Sequence, residues 1–466
     1  MSRRVVITGL GPITAFGVGM APLWSALCEG RSAVKRIARF DPSGFACTVA
    51  AEVPDGLFDV RNVVPKSYRK ATKVMARDIE LAVGGAAAAI ADARLVTRAA
   101  EAVAGGTAAP TIAPERFGCH IGAGLIAAET DELTAALATA RASDGSFDYG
   151  MWGGQSPGAA GAQPGGGGMN NLTPLWLLKY LPNMLACHVT IIHDCQGPSN
   201  TITCAEASGA LSMGESLRVI QRGDADACLS GGAETKVHLM GMLRQQFSKR
   251  LVGSADDGAA GPVDDAAQVA AVRPFDPGSR GTVLGEGGGI VVLEAHEVAT
   301  ARGASIAAEI AGFGASQNLN PDTVGLRGEP DGDALACAIE AALAGARIAA
   351  TQIDAIVPLG SGIVDSDANE AAALRRVFGA RLPSIPLVTL VPAVGNCCAG
   401  AGGVAVAVAA MCLREQMLPA RLNSAATPGV DATATPARRA ELRHILVCTT
   451  SFGGQNAALV VRHSGN

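Results

Sequence analysis

The chain has 466 residues, of which 48% are hydrophobic and 17% charged, with a formal net charge of −5. That length and apolar content can fill more than one core, so two domains or one two-lobed body is expected. A mildly acidic balance without a basic footprint excludes nucleic acid as the natural partner.

Taken in chain order, Arg3-Arg4 precede an apolar stretch that Gly9, Gly11 and Pro12 interrupt. It reads as a first buried strand and its turn rather than a signal peptide. Lys66, Arg69, Lys70, Lys73 and Arg77 recur at three- and four-residue spacing and predict one basic stripe along a helix. The segments 99–114, 139–171, 253–270 and 425–437 are small-residue-rich without periodicity and are expected to be surface loops, the second long enough to act as a lid. His188 and His193 are expected to flank a strand as packed or hydrogen-bonded structural residues. His120, His238, His296, His444 and His463 sit at element edges without recognisable partners.

A strand at Asn200–Thr203 runs through a small-residue turn into a helix from Ala207 to about Arg222, where Ala207, Ala210, Leu211, Gly214 and Leu217 recur at helical spacing. The second half repeats the theme. Pro386–Leu390 reads as an apolar strand, 391–403 as a Gly-rich turn, and Val404–Leu413 as a helix apolar all round, hence buried. Such strand-turn-helix units need helices on both sheet faces, which predicts a layered, duplicated α/β body. The halves are 1–296 and 297–466, joined near Glu294–Gly303 after a strand at Gly289–Leu293. The longest run free of polar side chains, Cys397–Leu413, falls short of the roughly 20 residues of a spanning helix, so no membrane span and a cytoplasmic location are expected. The 12 cysteines show no metal-ligand spacing. They read as reduced core residues, Cys28, Cys187, Cys228, Cys337 and Cys412 among apolar neighbours, and no metal site is expected.

The turn at 203–206 presents Glu206 at a helix N-terminus, where the macrodipole and unpaired N–H groups favour negative charge and would equally activate a thiolate. Its surroundings carry a resemblance. The segments Arg4-Val5-Val6-Ile7-Thr8-Gly9-Leu10-Gly11, Gly223-Asp224-Ala225-Asp226, Gly231-Gly232-Ala233-Glu234, Arg273-Pro274-Phe275-Asp276, Gly285-Glu286-Gly287 and Phe452-Gly453-Gly454-Gln455-Asn456 run nearly end to end. In that order and spacing the chain resembles the β-ketoacyl-acyl-carrier-protein synthases of the synthase II type. The resemblance implies the thiolase fold, a duplicated five-layered α/β/α/β/α core.

It also implies where the chemistry should lie. The family condenses acyl chains with a Cys nucleophile and two His. Here Glu206 falls on the cysteine, and Leu359 and Asn396 on the histidines. Val391 falls on the family's lysine and Ala405 on that lysine's glutamate partner, so both members of a buried charge pair are replaced together. Phe452 matches the gating phenylalanine. Ser361 and Ile363 match the threonines that hold the phosphopantetheine arm of acyl carrier protein, the one cofactor-like ligand implied. Lys66, Arg69, Lys70 and Lys73 match the basic carrier-docking helix.

Chain-length factors of type II polyketide synthases keep this fold but carry glutamine in place of the cysteine. The chain resembles them, which implies a non-condensing subunit that pairs with an active ketosynthase and shapes an acyl tunnel, with the strand 200–203 near the dimer axis. Glu206 would then plug the site by accepting hydrogen bonds from the oxyanion-hole amides. Two alternatives stand beside this: a homodimeric enzyme using Glu206 for decarboxylation or thioester chemistry, and a homodimer that holds an acyl chain without reacting.

Overall fold

The computed structural model describes residues 3–99, 108–153, 167–254, 264–318, 331–451 and 453–465. Its centre is a ten-stranded sheet. Nine strands matter here: β1 (Val5–Thr14), β2 (Phe117–Gly122), β3 (Ser199–Ile202), β4 (Ala227–Glu234), β5 (Gly287–Ala295), β6 (Ala308–Gln317), β7 (Ala355–Val357), β8 (His444–Thr450) and β9 (Gln455–Arg462). Their spatial order is β7-β8-β9-β6-β1-β5-β4-β2-β3. Strands β1 and β6 meet over only two residue pairs, Val6–Glu309 and Ile7–Ala308. On either side of that seam the pairing repeats. From β1 outward it runs antiparallel, antiparallel, parallel, parallel; from β6 outward it runs antiparallel, antiparallel, parallel. The duplication read from the sequence is therefore present in the hydrogen-bond pattern.

Six helices complete the layers: α1 (Arg77–Ala93), α2 (Met184–His193), α3 (Ser208–Arg222), α4 (Asp333–Ala346), α5 (Val364–Phe378) and α6 (Ala401–Glu415). Helices α1 and α2 share a core with the β1-side strands, and α4 and α5 share one with the β6-side strands. Helices α3 and α6 are buried together between them in the largest core. Small residues make that middle layer possible. A Cβ on Gly403 would lie 2.0 Å from the carbonyl oxygen of Gly289, and one on Gly402 would lie 2.7 Å from the Ala210 nitrogen. Helix α3 ends where Gly223 turns to φ 85°, letting the Gly223 and Asp224 amides close on Ile220 and Val219. With the 3₁₀ turn before it, residues 398–415 are long and apolar enough to cross a membrane, but 83% of that stretch is buried inside the protein. It is the core helix of this layer.

Several expectations are corrected. His188 and His193 lie on helix α2, not beside a strand, because Leu185, Val189 and Ile192 bury one helical face. Pro386–Leu390 forms no strand. It is held by single bridges, Leu387 to Ile356 and Pro386 to Asp431, since proline supplies no N–H to a ladder. Helix α6 begins three residues before the expected Val404. The segment 253–270 is not all loop, because Asp264 caps a helix at Asp265–Ala271 by accepting from the Ala267 amide. Within 139–171, a short helix at Tyr149–Gly153 and a 3₁₀ turn at Gly168–Asn171 flank residues outside those described. The basic stretch is a 3₁₀ helix, Lys66–Val74. Its three-residue turn places Lys66 and Arg69 in one exposed row and Lys70 and Lys73 in the next. Arg77 leaves the stripe and pairs inward with Glu286 and Glu80. Cys337 is exposed, and Cys28 and Cys187 are half-buried, so these three are not core residues.

Candidate functional site

Glu206 reaches its position through a tight elbow. Strand β3 ends at Ile202, Ala205 adopts φ 45°, and a 3₁₀ turn at Ala205–Ala207 leads into α3. A positive φ on an alanine is unfavourable, and it persists where the surroundings over-determine it. Ser208 supplies that determination, its hydroxyl donating to the Ala205 carbonyl and accepting from the Cys204 amide, both at 2.7 Å.

The carboxylate is 1% exposed. One of its oxygens accepts from the Arg250 guanidinium and, at 3.3 Å, from the Asn396 side-chain amide. The partner expected from sequence was a set of backbone amides. The structure supplies an ion pair with an arginine that is itself 9% exposed. Arg250 lies 44 residues away in sequence, in a Lys-Arg dipeptide after a surface helix. No spacing rule connects it to the elbow, so only the tertiary structure could find it.

Asn396 is fixed in turn. Its side-chain oxygen accepts from the Cys398 amide at 2.9 Å, and its backbone pairs with Val283 and Gly285. The loop it sits on has Cys398 at φ 47° and passes directly over two glycines. A Cβ on Gly232 would lie 2.2 Å from the Ala399 carbonyl oxygen, and one on Gly209 would lie 2.8 Å from it. Below, Glu234 accepts from the Ala399 amide at 2.8 Å and pairs with Lys236. Burial, and then repulsion from Glu234, push the nearby Asp78 carboxyl up to about 7.

Leu359 meets Asn396 across a cavity of about 20 Å³, room for about one water. Val391 and Ala405 line the same cavity. The four positions singled out from sequence therefore converge, and the lining contains no imidazole, lysine or carboxylate. The Leu359 backbone is held by buried acids. Glu370 accepts from the Leu359 and Gly360 amides at 2.9 and 3.0 Å, and Asp367 accepts from the Ser361, Gly362 and Phe275 amides at 2.8–3.0 Å. Burial raises Glu370 to about 8 and Asp367 to about 6.

Ser361, expected to meet a ligand, is 1% exposed, and its hydroxyl donates to Asp367 and accepts from the Ile363 amide. Its hydroxyl is thus engaged inside the loop. Phe452 lies outside the described residues. Burial pushes the Cys397 thiol up to about 12, the Cys398 thiol well above its ordinary value, and the Cys204 thiol upward, so none of the three is poised as a thiolate. Four of the seven histidines are engaged elsewhere: His188 with Tyr68, His193 with Thr97, His120 with Ser216, and His238 capping the helix Leu239–Phe247.

Comparison with known proteins agrees with this architecture. The model of the beta-ketoacyl synthase N-terminal domain matches residues 2–299, and that of the beta-ketoacyl synthase C-terminal domain matches 307–425. A putative polyketide beta-ketoacyl synthase 1 of Streptomyces halstedii is 30% identical over 99% of the chain and 98% of its own length. A 3-oxoacyl-[acyl-carrier-protein] synthase 2 of Staphylococcus aureus is 26% identical over the same shares. Among solved structures, the ishigamide ketosynthase/chain length factor superposes with a TM-score of 0.78 at 26% identity, covering 100% of both chains. A beta-ketoacyl synthase from Burkholderia phymatum gives a TM-score of 0.75 at 26% identity over 99% of both. The fold is the thiolase fold of the ketosynthases, and the chain belongs to the beta-ketoacyl synthase family.

Proposed function

We propose that this chain is a non-condensing member of its family that works in fatty acid or polyketide synthesis as a chain-length-factor-like partner of an active ketosynthase. The observation that carries the reading is the state of the elbow. Glu206 is tied to Arg250 and Asn396, and the position facing Asn396 across the cavity is the aliphatic Leu359. A condensing site needs an attacking thiolate and groups that hold a developing enolate oxygen. A carboxylate locked in an ion pair and bonded to an amide, with a leucine across the cavity from that amide, supplies neither.

The molecule also has a surface suited to a partner. Strand β3 is the last strand of the large sheet, and Ser199 and Asn200 on it are exposed. An uncovered edge invites pairing with another chain. Leu125, Phe147, Tyr149, Met169, Leu175 and Leu177, from the segment just before it, are exposed apolar residues. Solved relatives include one described as a ketosynthase/chain length factor and one described as a ketosynthase in complex with its acyl-carrier protein. For this chain the partner would be an intact ketosynthase, with the alternative a homodimer, and the 3₁₀ rows of Lys66, Arg69, Lys70 and Lys73 would face an acidic carrier protein carrying its phosphopantetheine arm. A cytoplasmic setting fits such a role.

The test is co-purification with candidate ketosynthases followed by product analysis. A stable heterodimer whose product length changes with this subunit supports the proposal. Turnover of malonyl carrier protein by the isolated chain, lost in Glu206→Gln, would replace it with the enzymatic reading.

A further inference from the structure

The basic segment Lys66–Val74 is a 3₁₀ helix of nine residues, none of them buried. A 3₁₀ run rarely exceeds about three or four residues, because its hydrogen bonds are poorly aligned. The composition does not favour that form either. Lys, Arg and Ala are good α-helix formers, and the three- and four-residue spacing of the cations suits an α-helical stripe. A contact from outside the segment therefore has to hold it.

Tyr68 makes that contact. Among the described residues, the side chains of 66–74 make three hydrogen bonds. Arg69 donates to the Arg61 carbonyl and Thr72 to the Arg69 carbonyl, both close in sequence. Only Tyr68 reaches into the body, its hydroxyl 2.9 Å from Nδ1 of His188 on α2 and its ring edge-on to that imidazole at 5.9 Å. His188 is 3% exposed, and its Nε2 has no hydrogen-bond partner among the described residues. The imidazole thus spends its one hydrogen bond on Tyr68, and the packing of α2 fixes both rings. The direction of the cations depends on that anchor. A 3₁₀ helix turns about 120° per residue and an α-helix about 100°. Relaxation toward α would swing Lys73, five residues past Tyr68, by about 100° relative to the anchor.

We propose that Tyr68, held by His188, is the positioning residue of this docking face, keeping Lys66, Arg69, Lys70 and Lys73 in the two rows that an acidic carrier protein meets. The proposal rests on those rows facing such a protein, and the test separates the two. Calorimetric titration of the full chain with phosphopantetheine-loaded acyl carrier protein is paired with hydrogen exchange read by mass spectrometry. Tyr68→Phe keeps the ring and removes only the hydroxyl. Exchange across 66–74 should then quicken about fivefold, the scale of one hydrogen bond, and the carrier Kd should rise by a similar factor. Lys66→Glu with Lys70→Glu should raise that Kd at least about tenfold and leave exchange as in the wild type. No carrier binding, or a Kd unmoved by the charge reversals, would overturn the docking reading and the proposal with it. Binding weakened by the reversals but not by Tyr68→Phe, or exchange unchanged in Tyr68→Phe, would overturn the positioning role alone.

Discussion

At the residue scale, the site is defined by a carboxylate and the arginine that neutralises it. Removing one member of a buried pair strands the other, at a cost of roughly 3–5 kcal/mol, whereas replacing both by apolar groups is near neutral. Arg250→Met should therefore lower unfolding free energy in urea by that amount, and Arg250→Met with Glu206→Leu should recover most of it. The same logic applies to Val391 and Ala405, two apolar residues that line one cavity and that the sequence resemblance aligns with a charge pair. A single Val391→Lys change is expected to destabilise strongly for want of its partner. Glu206→Cys alone should not confer condensation in a malonyl carrier protein assay, because Leu359 can neither donate nor accept a proton. Glu206 was legible in sequence as a carboxylate at a helix N-terminus. Its partner was not, since residues 206 and 250 are brought together only by packing.

At the element scale, helix α5 holds the 359–363 loop through two buried acids, and that makes stability depend on pH. A carboxyl with a raised folded pKa keeps its proton longer folded than unfolded, so stability falls as pH rises from the unfolded to the folded value. For Glu370 that window runs from 4.5 to about 8, for Asp78 from 3.8 to about 7, and for Asp367 from 3.8 to about 6. The buried histidines act in the opposite sense. Burial depresses His120, His188 and His238 to about 4 and His193 to about 3, against an ordinary 6.5. Their contribution rises with pH up to that ordinary value and then is complete. These groups together predict a melting temperature that peaks near pH 6.5 and declines toward pH 8, mainly through Glu370. In Glu370→Gln the alkaline decline should flatten, as read by thermal melts across pH. Strand β3 offers a separate test. The Thr201 amide donates to the Asn200 side chain rather than to another strand, so Thr201→Pro should disrupt a partner at this edge while circular dichroism stays unchanged. Light scattering would register the change in mass.

At the scale of the whole molecule, the two halves share one buried middle layer, and its tolerance for side chains is nil at the glycine crossings. Gly403→Val drives atoms into the Gly289 backbone and should cost about 3 kcal/mol or more, enough to lose soluble protein. Gly44→Ala, with open space around its Cβ position, should stay within about 0.5 kcal/mol of wild type. Comparative expression and thermal melts separate the two outcomes.

The amino-acid sequence determined the periodic elements: β1, the β3–α3 elbow, the apolar α6 and the twofold theme are local patterns of hydrophobicity and small residues, and such patterns carry their own geometry. It misassigned α2, whose β-branched run suits strand and helix alike until a core selects one, and it placed Arg77 in a surface stripe. Only the tertiary structure decided that Arg77 turns inward, that Ser361 is bound to Asp367, and that Arg250 meets Glu206. Ion pairs between distant segments leave no period in the chain, because they form where layers meet.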